Sequence, residues 1–185
     1  MESLAEHLEH PLYWVQPKTL SRNYELRNEV GTLATLTFET AYGSLATART
    51  SSGAWSLKRV GFFKPEVTVR EVGANANVAV YRPRWTGAEG DLELRDRHYV
   101  FKTSNFWATQ FEIRDRADRL LISYRSGAKK RSFGDLLKTQ AEVNVASPQA
   151  DAHTIELLIL VGWYIIVLHN EDASAAVAAG AAATS

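Results

Sequence analysis

An apolar segment near the C-terminus constrains the fold of this chain more than any other feature. Residues 155–168 read IELLILVGWYIIVL, and only Glu156 and Gly162 interrupt the hydrophobic side chains. Leaving them in water would cost on the order of 20 kcal/mol, since each contributes ~2 kcal/mol on burial. As a helix the segment is about 20 Å long, which is short against the ~30 Å hydrocarbon core of a bilayer. Because the apolar residues cover the whole circumference, we expect a helix buried on all sides by its own protein.

The expected helix covers about residues 150–169. Ser147 and Pro148 form a typical helix start, and Asp151 is favourable in the first turn. The alanine-rich residues 171–185 that follow either prolong the helix or are disordered. At the other end of the chain, residues 1–11 are expected to form an extension, as a short polar helix or a frayed terminus.

Composition narrows the classes of function. The chain has 185 residues, 45% of them hydrophobic, which suits one domain with a sizeable core. Its formal net charge is zero, so nucleic acid is not an expected partner and any contact with acidic lipid needs a local patch. The absence of cysteine excludes disulfides, thiolate metal sites and S-acylation, and it fits the cytoplasm. No export signal is predicted at the acidic N-terminus.

Short alternating runs fill the chain between residues 12 and 145. They are rich in Val, Thr, Tyr, Phe and Trp, and polar residues or glycines separate them. About twelve strands are expected, with the sequences LYWV, NYELR, LATLTF, LATART, AWSLKR, EVTVREV, NVAVYR, DLELR, YVFKT, TQFEIR, LLISYR and AEVNV. Strands in unbroken succession favour an antiparallel meander that forms a sandwich or a barrel. Twelve strands are enough to enclose a central helix.

A weak internal repeat relates two of the expected hairpins. Residues 24–33 read YELRNEVGTL and residues 111–120 read FEIRDRADRL, so each strand ends at Asn28 or Asp115 before a turn and a second strand. The repeat fits two ordinary hairpins with the same turn chemistry. It also fits a pseudo-repeated barrel.

The two Asn/Asp turns, the number of strands and the apolar C-terminal helix resemble the tubby C-terminal-like superfamily over residues 12–170. Its members include the tubby domain, the phospholipid scramblases and the plant LURP-one-related proteins. The resemblance implies a mainly β fold, a closed antiparallel barrel of about twelve strands around a central hydrophobic helix. In function it implies a non-enzymatic module that is often associated with lipid.

The chain also departs from these relatives. The cysteine cluster that is acylated in the scramblases has no counterpart, and no acidic calcium segment is evident. Scrambling is therefore not expected. The phosphoinositide-binding residues of the tubby domain do not match individual positions here, so none is carried over.

The sequence contains no common catalytic motif. Phosphate-binding glycine loops, G-x-S-x-G and H-E-x-x-H are absent. His7 and His10 have a spacing that can present metal ligands, although a solvated terminal helix explains them better. Asp91 and Glu93 share a strand face that Arg95 is expected to continue, which is typical of a solvated, partly paired surface. The isolated His98 and His153 are expected in capping or core roles, so no catalytic residue, metal or cofactor is predicted.

Candidate binding residues are aromatic or basic. Core packing is expected to explain most of the aromatic residues, which are Trp85, Tyr99, Phe101, Phe106, Trp107 and Phe111. The exception is the segment with Phe62, Phe63 and Lys64, because adjacent residues of a strand point to opposite faces and one ring would be exposed. The densest basic run is Lys129, Lys130 and Arg131, at a predicted hairpin tip where cations reach lipid phosphates.

Three functions are compared on these grounds. The first is a cytoplasmic, non-catalytic binding or scaffold module, a monomer that contacts anionic membrane lipid or a protein partner and lies peripheral to the membrane. The second is a tail-anchored membrane protein whose C-terminal helix inserts in the bilayer, which Glu156 and the acidic Glu171 and Asp172 oppose. An enzyme ranks third, because a barrel filled by a helix has no free interior for a substrate.

Overall fold

A computed structural model describes residues 1–19, 21–85, 87–127, 140–146 and 151–183 of the chain. Within these residues the chain forms a short 3₁₀ turn, twelve β-strands and one α-helix. The 3₁₀ turn is Leu4–His7, and the helix, α1, is Ala152–Ala183. The strands are β1 (Leu12–Val15), β2 (Asn23–Arg27), β3 (Thr32–Phe38), β4 (Ala46–Thr50), β5 (Ala54–Val60), β6 (Glu66–Glu71), β7 (Ala79–Pro83), β8 (Glu89–Leu94), β9 (Arg97–Thr103), β10 (Gln110–Asp115), β11 (Leu120–Ser126) and β12 (Gln140–Val145).

The twelve strands of the described chain close into one antiparallel barrel. Each strand pairs with its neighbours in sequence, and β1 closes the barrel by pairing with β12 as well as with β2. The predicted fold class is confirmed in its strand number, its order and its closure. Closure leaves no open sheet edge, so the backbone groups of each strand are paired on both sides.

The apolar helix α1 lies inside this barrel. Its residues from Thr154 to Leu168 are all buried, as predicted from their apolar circumference. Trp163 stacks on Trp14 of β1 with ring centroids 5.5 Å apart, and Tyr164 stacks on Phe38 of β3 at the same separation. The alternation along each strand places every second side chain against this helix, so the strands and α1 share one hydrophobic core.

Glycine at position 162 lets α1 approach the barrel wall. The hydroxyl of Tyr124 on β11 donates hydrogen bonds to the carbonyl oxygens of Leu158 and Ile159, each at 3.1 Å. A Cβ at Gly162 would overlap that hydroxyl, and it would lie 2.8 Å from Tyr124 Cζ and 3.0 Å from Ile113 Cδ1. Gly162, the one small residue in the apolar run, is therefore a packing requirement.

Polar side chains define the start of α1. Asp151 accepts hydrogen bonds from the backbone N–H and the hydroxyl of Thr154, at 3.0 and 2.8 Å, and these bonds hold the pKa of its carboxyl below the usual value. The buried carboxylate of Glu156 accepts a hydrogen bond of 2.7 Å from Ser52, in the turn between β4 and β5. His153 lies 3.5 Å from the same carboxylate and beside the ring of Trp55, so it has a role at the edge of the core. The predicted helix start at Ser147 and Pro148 lies outside the described residues.

The N-terminal residues cover the end of the barrel at which α1 begins. Leu4 and Leu8 are buried, and the 3₁₀ turn packs against the helix. A polar helix or a frayed terminus was expected from the sequence, whereas the structure has an ordered turn, because Leu4 and Leu8, four residues apart, supply an apolar face. We call this end of the barrel the capped end.

The two hairpins of the internal repeat match in detail. Asn28 accepts hydrogen bonds from the backbone N–H groups of Val30 and Gly31, and Asp115 accepts them from Ala117 and Arg119. In each hairpin the pairing register shifts just before the turn residue, after Leu26 in β2 and after Ile113 in β10. A twofold repeat of twelve strands would shift the pattern by six strands, whereas β2 and β10 lie four strands apart across the closure. This offset excludes a twofold repeat, and the shared turn chemistry accounts for the match between the two hairpins.

Candidate functional site

The end of the barrel opposite the capped end carries the exposed aromatic residues. Successive turns of an antiparallel meander alternate between the two ends, so the connections after odd-numbered strands lie together. We call this the aromatic end, and within the described chain it comprises residues 16–19, 21–22, 39–45, 61–65, 84–85, 87–88 and 104–109. The exposed rings there are those of Tyr42, Phe62, Phe63, Trp85, Phe106 and Trp107.

These six side chains are far more exposed than aromatic residues usually are. Their exposed fractions run from 78% to 104% of a free side chain, and within the described residues no other aromatic residue is among the exposed large hydrophobic ones. Exposed large hydrophobic residues in the capped-end turns are valines, Val30 and Val72. Exposed rings gathered at one end of the barrel make that end a candidate surface for an apolar or interfacial partner.

Sequence reasoning was wrong about several of these rings. Phe62 and Phe63 were expected on opposite faces of a strand, but both lie in the turn between β5 and β6 and both are exposed. Trp85, Phe106 and Trp107 were expected in the core and are exposed in turns. The prediction failed because β5, β7 and β9 end before these residues. The core prediction is confirmed for three other aromatic residues. Tyr99, Phe101 and Phe111 are buried on strands.

The turn that carries Phe62, Phe63 and Lys64 depends on glycine. Gly61 has φ +86°, and a Cβ there would lie 2.6 Å from the carbonyl oxygen of Lys64. Only glycine adopts this conformation without a steric penalty. The rings of Phe62 and Phe63 contact each other edge to face, with centroids 5.2 Å apart, and the described structure shows no ion pair for Lys64. The sequence Gly-Phe-Phe-Lys-Pro is thus a tight turn that displays two rings and one cation.

Asn105 organises the turn that carries Phe106 and Trp107. Its side-chain oxygen accepts hydrogen bonds from the backbone N–H groups of Thr109 and Gln110, at 2.9 and 3.0 Å. Its amide nitrogen donates to the Thr109 hydroxyl at 2.7 Å. The two rings are held edge to face, 5.3 Å apart. Because the backbone is fixed by these bonds, the rings can contact a partner with little loss of conformational entropy.

Arginine side chains organise the other two aromatic turns. Arg22 donates to the carbonyl oxygens of Thr40 and Gly43, at 2.7 and 2.6 Å, in the turn that presents Tyr42. Beside Trp85, Arg84 donates to Glu89 and Asp91, each at 2.7 Å, and this pairing holds the pKa of the Asp91 carboxyl below its usual value.

Helix α1 leaves the barrel through the centre of the aromatic end. Glu171 accepts two hydrogen bonds from Arg22, each at 2.8 Å, and Asp172 accepts one from Arg59 at 2.6 Å. Beneath the first pair, burial raises the pKa of Tyr24 to about 12, and the nearby Glu171 adds to the shift. Both acidic residues, which were expected to oppose a membrane anchor, are therefore paired with arginines at the barrel rim.

Open crevices surround the helix where it leaves the barrel. One, of about 160 Å³, lies between α1 and the strands β5 to β7 and is lined by Ile165, Leu168 and His169 among others. A wider one, of about 490 Å³, lies beside Tyr42 and reaches Ser174 on α1. Both crevices lie at the rim, above the part of α1 that is buried in the barrel interior.

The basic run predicted to bind lipid falls outside the described residues. Lys129, Lys130 and Arg131 belong to the connection between β11 and β12. The flanking Gly127 donates a backbone hydrogen bond of 3.0 Å to Gln140. Since this connection follows an odd-numbered strand, its two flanking residues lie at the aromatic end. The basic run stays a prediction.

Other candidates from the sequence are dispersed over the surface. Asp91 forms an ion pair with Arg84, and Glu93 forms one with Arg82. Arg95 was expected to continue their strand face, but it lies in the turn after β8 with φ 53°. The expectation failed because β8 ends at Leu94.

The histidines do not form a metal centre. His98 is exposed on β9 opposite Glu93, which corrects its expected core or capping role. At the capped end His7 lies 3.1 Å from Glu2, and its ring is 5.9 Å from that of His10. Among the described residues, no group of three or more His, Cys, Asp and Glu side chains is placed to hold a metal ion.

Two general properties of the chain bear on function. By length and composition, residues 152–182 of α1 are long and apolar enough to cross a membrane, but 83% of the most apolar window is buried inside the barrel. The chain matches no family model, no curated protein and no solved structure. The geometry of the aromatic end is therefore the basis for a proposed function.

Proposed function

We propose that this chain is a non-catalytic binding module of tubby-like fold, a cytoplasmic monomer that docks on anionic membrane lipid through its aromatic end. The observation that supports the proposal is the position of the six exposed rings, all of which lie at that end. Tryptophan and tyrosine favour the boundary between lipid and water, where an apolar ring meets lipid and its polar atom meets water.

The energy available from these rings suits a reversible peripheral contact. Partial burial of each ring contributes about 1 kcal/mol, roughly half of the value for complete burial. Six rings then supply on the order of 6 kcal/mol before the cost of immobilising the protein. Such a contact is weak without help from charge, so a protein of this kind binds best where acidic lipids add an electrostatic contribution.

The distribution of charge favours the same orientation. The described turns of the aromatic end carry four basic residues, Lys18, Arg22, Lys64 and Arg84, against the single carboxylate of Glu39, and the helix exit adds the arginine-paired Glu171 and Asp172. The N-terminal residues and described turns of the capped end carry seven carboxylates against the three arginines Arg95, Arg116 and Arg119; the carboxylates are Glu2, Glu6, Glu9, Glu29, Asp96, Asp118 and Asp151. An anionic surface attracts the first end and repels the second, and each basic residue near it contributes about 1 kcal/mol at low ionic strength.

The position of α1 supports a peripheral contact over tail anchoring. Withdrawing residues 154–168 into a bilayer would leave the inner wall of the barrel wet, including Trp14 and Tyr124, which are fully buried against the helix. The wall residues would lose their burial energy at about 25 cal/mol per Å². A helix that already has a complete apolar environment gains little by exchanging it for lipid.

Co-sedimentation with vesicles tests the proposed function. We expect the protein to sediment with phosphatidylcholine–phosphatidylserine vesicles at low salt, and less with phosphatidylcholine alone. Replacing both Trp85 and Trp107 by alanine should weaken binding about thirtyfold, at roughly 1 kcal/mol per ring. Val30→Ala and Val72→Ala at the capped end are the controls and should have no effect. The melting temperature should be unchanged in all variants.

Two further outcomes discriminate among the alternatives. If the protein ignores anionic vesicles at low salt and its aromatic variants instead lose a protein partner, the surface is a protein interface. Recovery of the protein only with detergent would support tail anchoring. If the protein binds and Lys129, Lys130 and Arg131 replaced by glutamine reduce binding, the predicted basic run contributes the salt-dependent part.

A further inference from the structure

Helix α1 continues well beyond the barrel. Residues 173–183 remain helical after the rim residues Glu171 and Asp172, and residues 173–182 are exposed. At ~1.5 Å per residue this extension is about 16 Å long. It starts within the aromatic end, because Tyr42 and Phe106 line crevices beside the last residues of the helix inside the rim.

The chemistry of this extension is suited to an apolar solvent. Residues 173–183 read ASAAVAAGAAA and contain no charged side chain. The hydroxyl of Ser174, the one polar side chain in this segment, donates a hydrogen bond of 2.8 Å to the carbonyl oxygen of Asn170. The backbone N–H groups of this segment donate within the helix, which removes most of the cost of placing the backbone in hydrocarbon. Val177 is the large apolar side chain of the segment and is 75% exposed.

The charges at the helix exit are balanced before the extension begins. Glu171 lies on the guanidinium of Arg22, and Asp172 on that of Arg59. Paired in this way, the two carboxylates present less negative charge to an anionic head group. Arg22 also donates hydrogen bonds to the carbonyls of Thr40 and Gly43, which hold its guanidinium in place at the barrel rim.

We propose that residues 173–183 of α1 insert into one leaflet of the bilayer while the six rings rest at its interface. The inference rests on the proposed function, because it requires the aromatic end to face the membrane. A length of about 16 Å fits within half of the ~30 Å hydrocarbon core, so residues 173–183 can lie within one leaflet. The barrel axis then stands upright on the membrane, with the Arg22–Glu171 and Arg59–Asp172 pairs at the level of the head groups.

The absence of cysteine from the sequence allows a direct test. Val177→Cys and, at the capped end, Val30→Cys each provide a single site for an environment-sensitive fluorophore. With phosphatidylcholine–phosphatidylserine vesicles, we expect the label at 177 to shift its emission to the blue. It should lose quenching by aqueous iodide and gain quenching by lipids with a spin label in the acyl chain. The label at 30 should stay accessible to iodide.

A charge placed on the extension gives a second, label-free measurement. Val177→Asp should weaken vesicle binding at least about tenfold, because the burial of valine contributes roughly 1.5 kcal/mol and the carboxylate opposes insertion further. Val30→Asp is the matched control, since both valines are exposed and lie at opposite ends. The melting temperatures of both variants should equal that of the unchanged protein.

The outcomes separate this inference from the proposed function. If the unlabelled protein does not sediment with vesicles, the proposed function fails and the inference fails with it. If it sediments but the label at 177 remains open to iodide, the inference is wrong and the docking proposal stands. If the label at 177 is protected without vesicles, to an extent that rises with protein concentration, a second copy of the chain covers the helix and the inference is overturned.

Discussion

Replacement of Gly162 by alanine tests the packing of the helix inside the barrel. In an isolated helix this change stabilises by about 1 kcal/mol, because glycine is the poorer helix former. The structure predicts the opposite sign. The added methyl group would overlap the hydroxyl of Tyr124 and would approach Ile113 Cδ1 to 3.0 Å.

The expected magnitude follows from the contacts that must move. Overpacking of a tight core costs about 1–3 kcal/mol. Displacing the Tyr124 hydroxyl also weakens its hydrogen bonds to Leu158 and Ile159, with a net cost of about 1 kcal/mol. After the helix-propensity gain of about 1 kcal/mol, Gly162→Ala should destabilise the protein by roughly 1–3 kcal/mol.

Denaturant unfolding followed by circular dichroism measures this effect. Gly180→Ala is the matched control, because no heavy atom lies within 4 Å of a Cβ at that exposed position of the same helix. It should be neutral or slightly stabilising. Tyr124→Phe in the Gly162→Ala background should be less destabilising than the sum of the two changes, since it removes the overlapping oxygen. A stabilised Gly162→Ala variant would refute the packing of α1 against β11.

Four further changes address other parts of the structure. Leu160→Asp should cost several kcal/mol and give aggregated protein by size-exclusion chromatography, because it places an unpaired carboxylate in the core. Ser52→Ala should lower the free energy of unfolding by about 2 kcal/mol at pH 7, since it leaves the buried carboxylate of Glu156 without its donor. Removal of residues 173–185 should leave the melting temperature nearly unchanged, because the described part of this segment is exposed. Asp151→Ala should lower the free energy of unfolding by about 1 kcal/mol above pH 4. Because folding lowers the pKa of Asp151, the difference in free energy of unfolding between variant and unchanged protein should vanish as the pH falls through that pKa.

The barrel and its central helix were predictable because their signals are local and repeated. Each strand carries its own alternation, and the run from Ile155 to Leu168 is apolar around its full circumference. The expected strand segments overlap all twelve strands of the described chain. The helix end was not predictable in the same way, because an alanine-rich sequence is compatible with a continued helix or with disorder.

The contacts that shape the aromatic end join distant parts of the sequence. Arg22 and Glu171 are 149 residues apart, and Arg59 and Asp172 are 113 apart, so no local pattern announces either pair. The exposed rings were missed for a different reason. Phe106 and Trp107 lie beside strands rich in aromatic residues, and only the positions of the strand ends separate a ring in the core from one in a turn.

One signal for the aromatic end was nevertheless present in the strand count. In a closed meander the turns after β3, β5, β7 and β9 must lie at one end, and these four turns carry all six exposed rings of the described chain. The even number of strands also determines the end at which the helix leaves the barrel. Because twelve is even, β12 runs towards the end where β1 begins, so α1 starts at the capped end and leaves the barrel among the rings. The number of strands thus places an apolar helix end and an aromatic surface together.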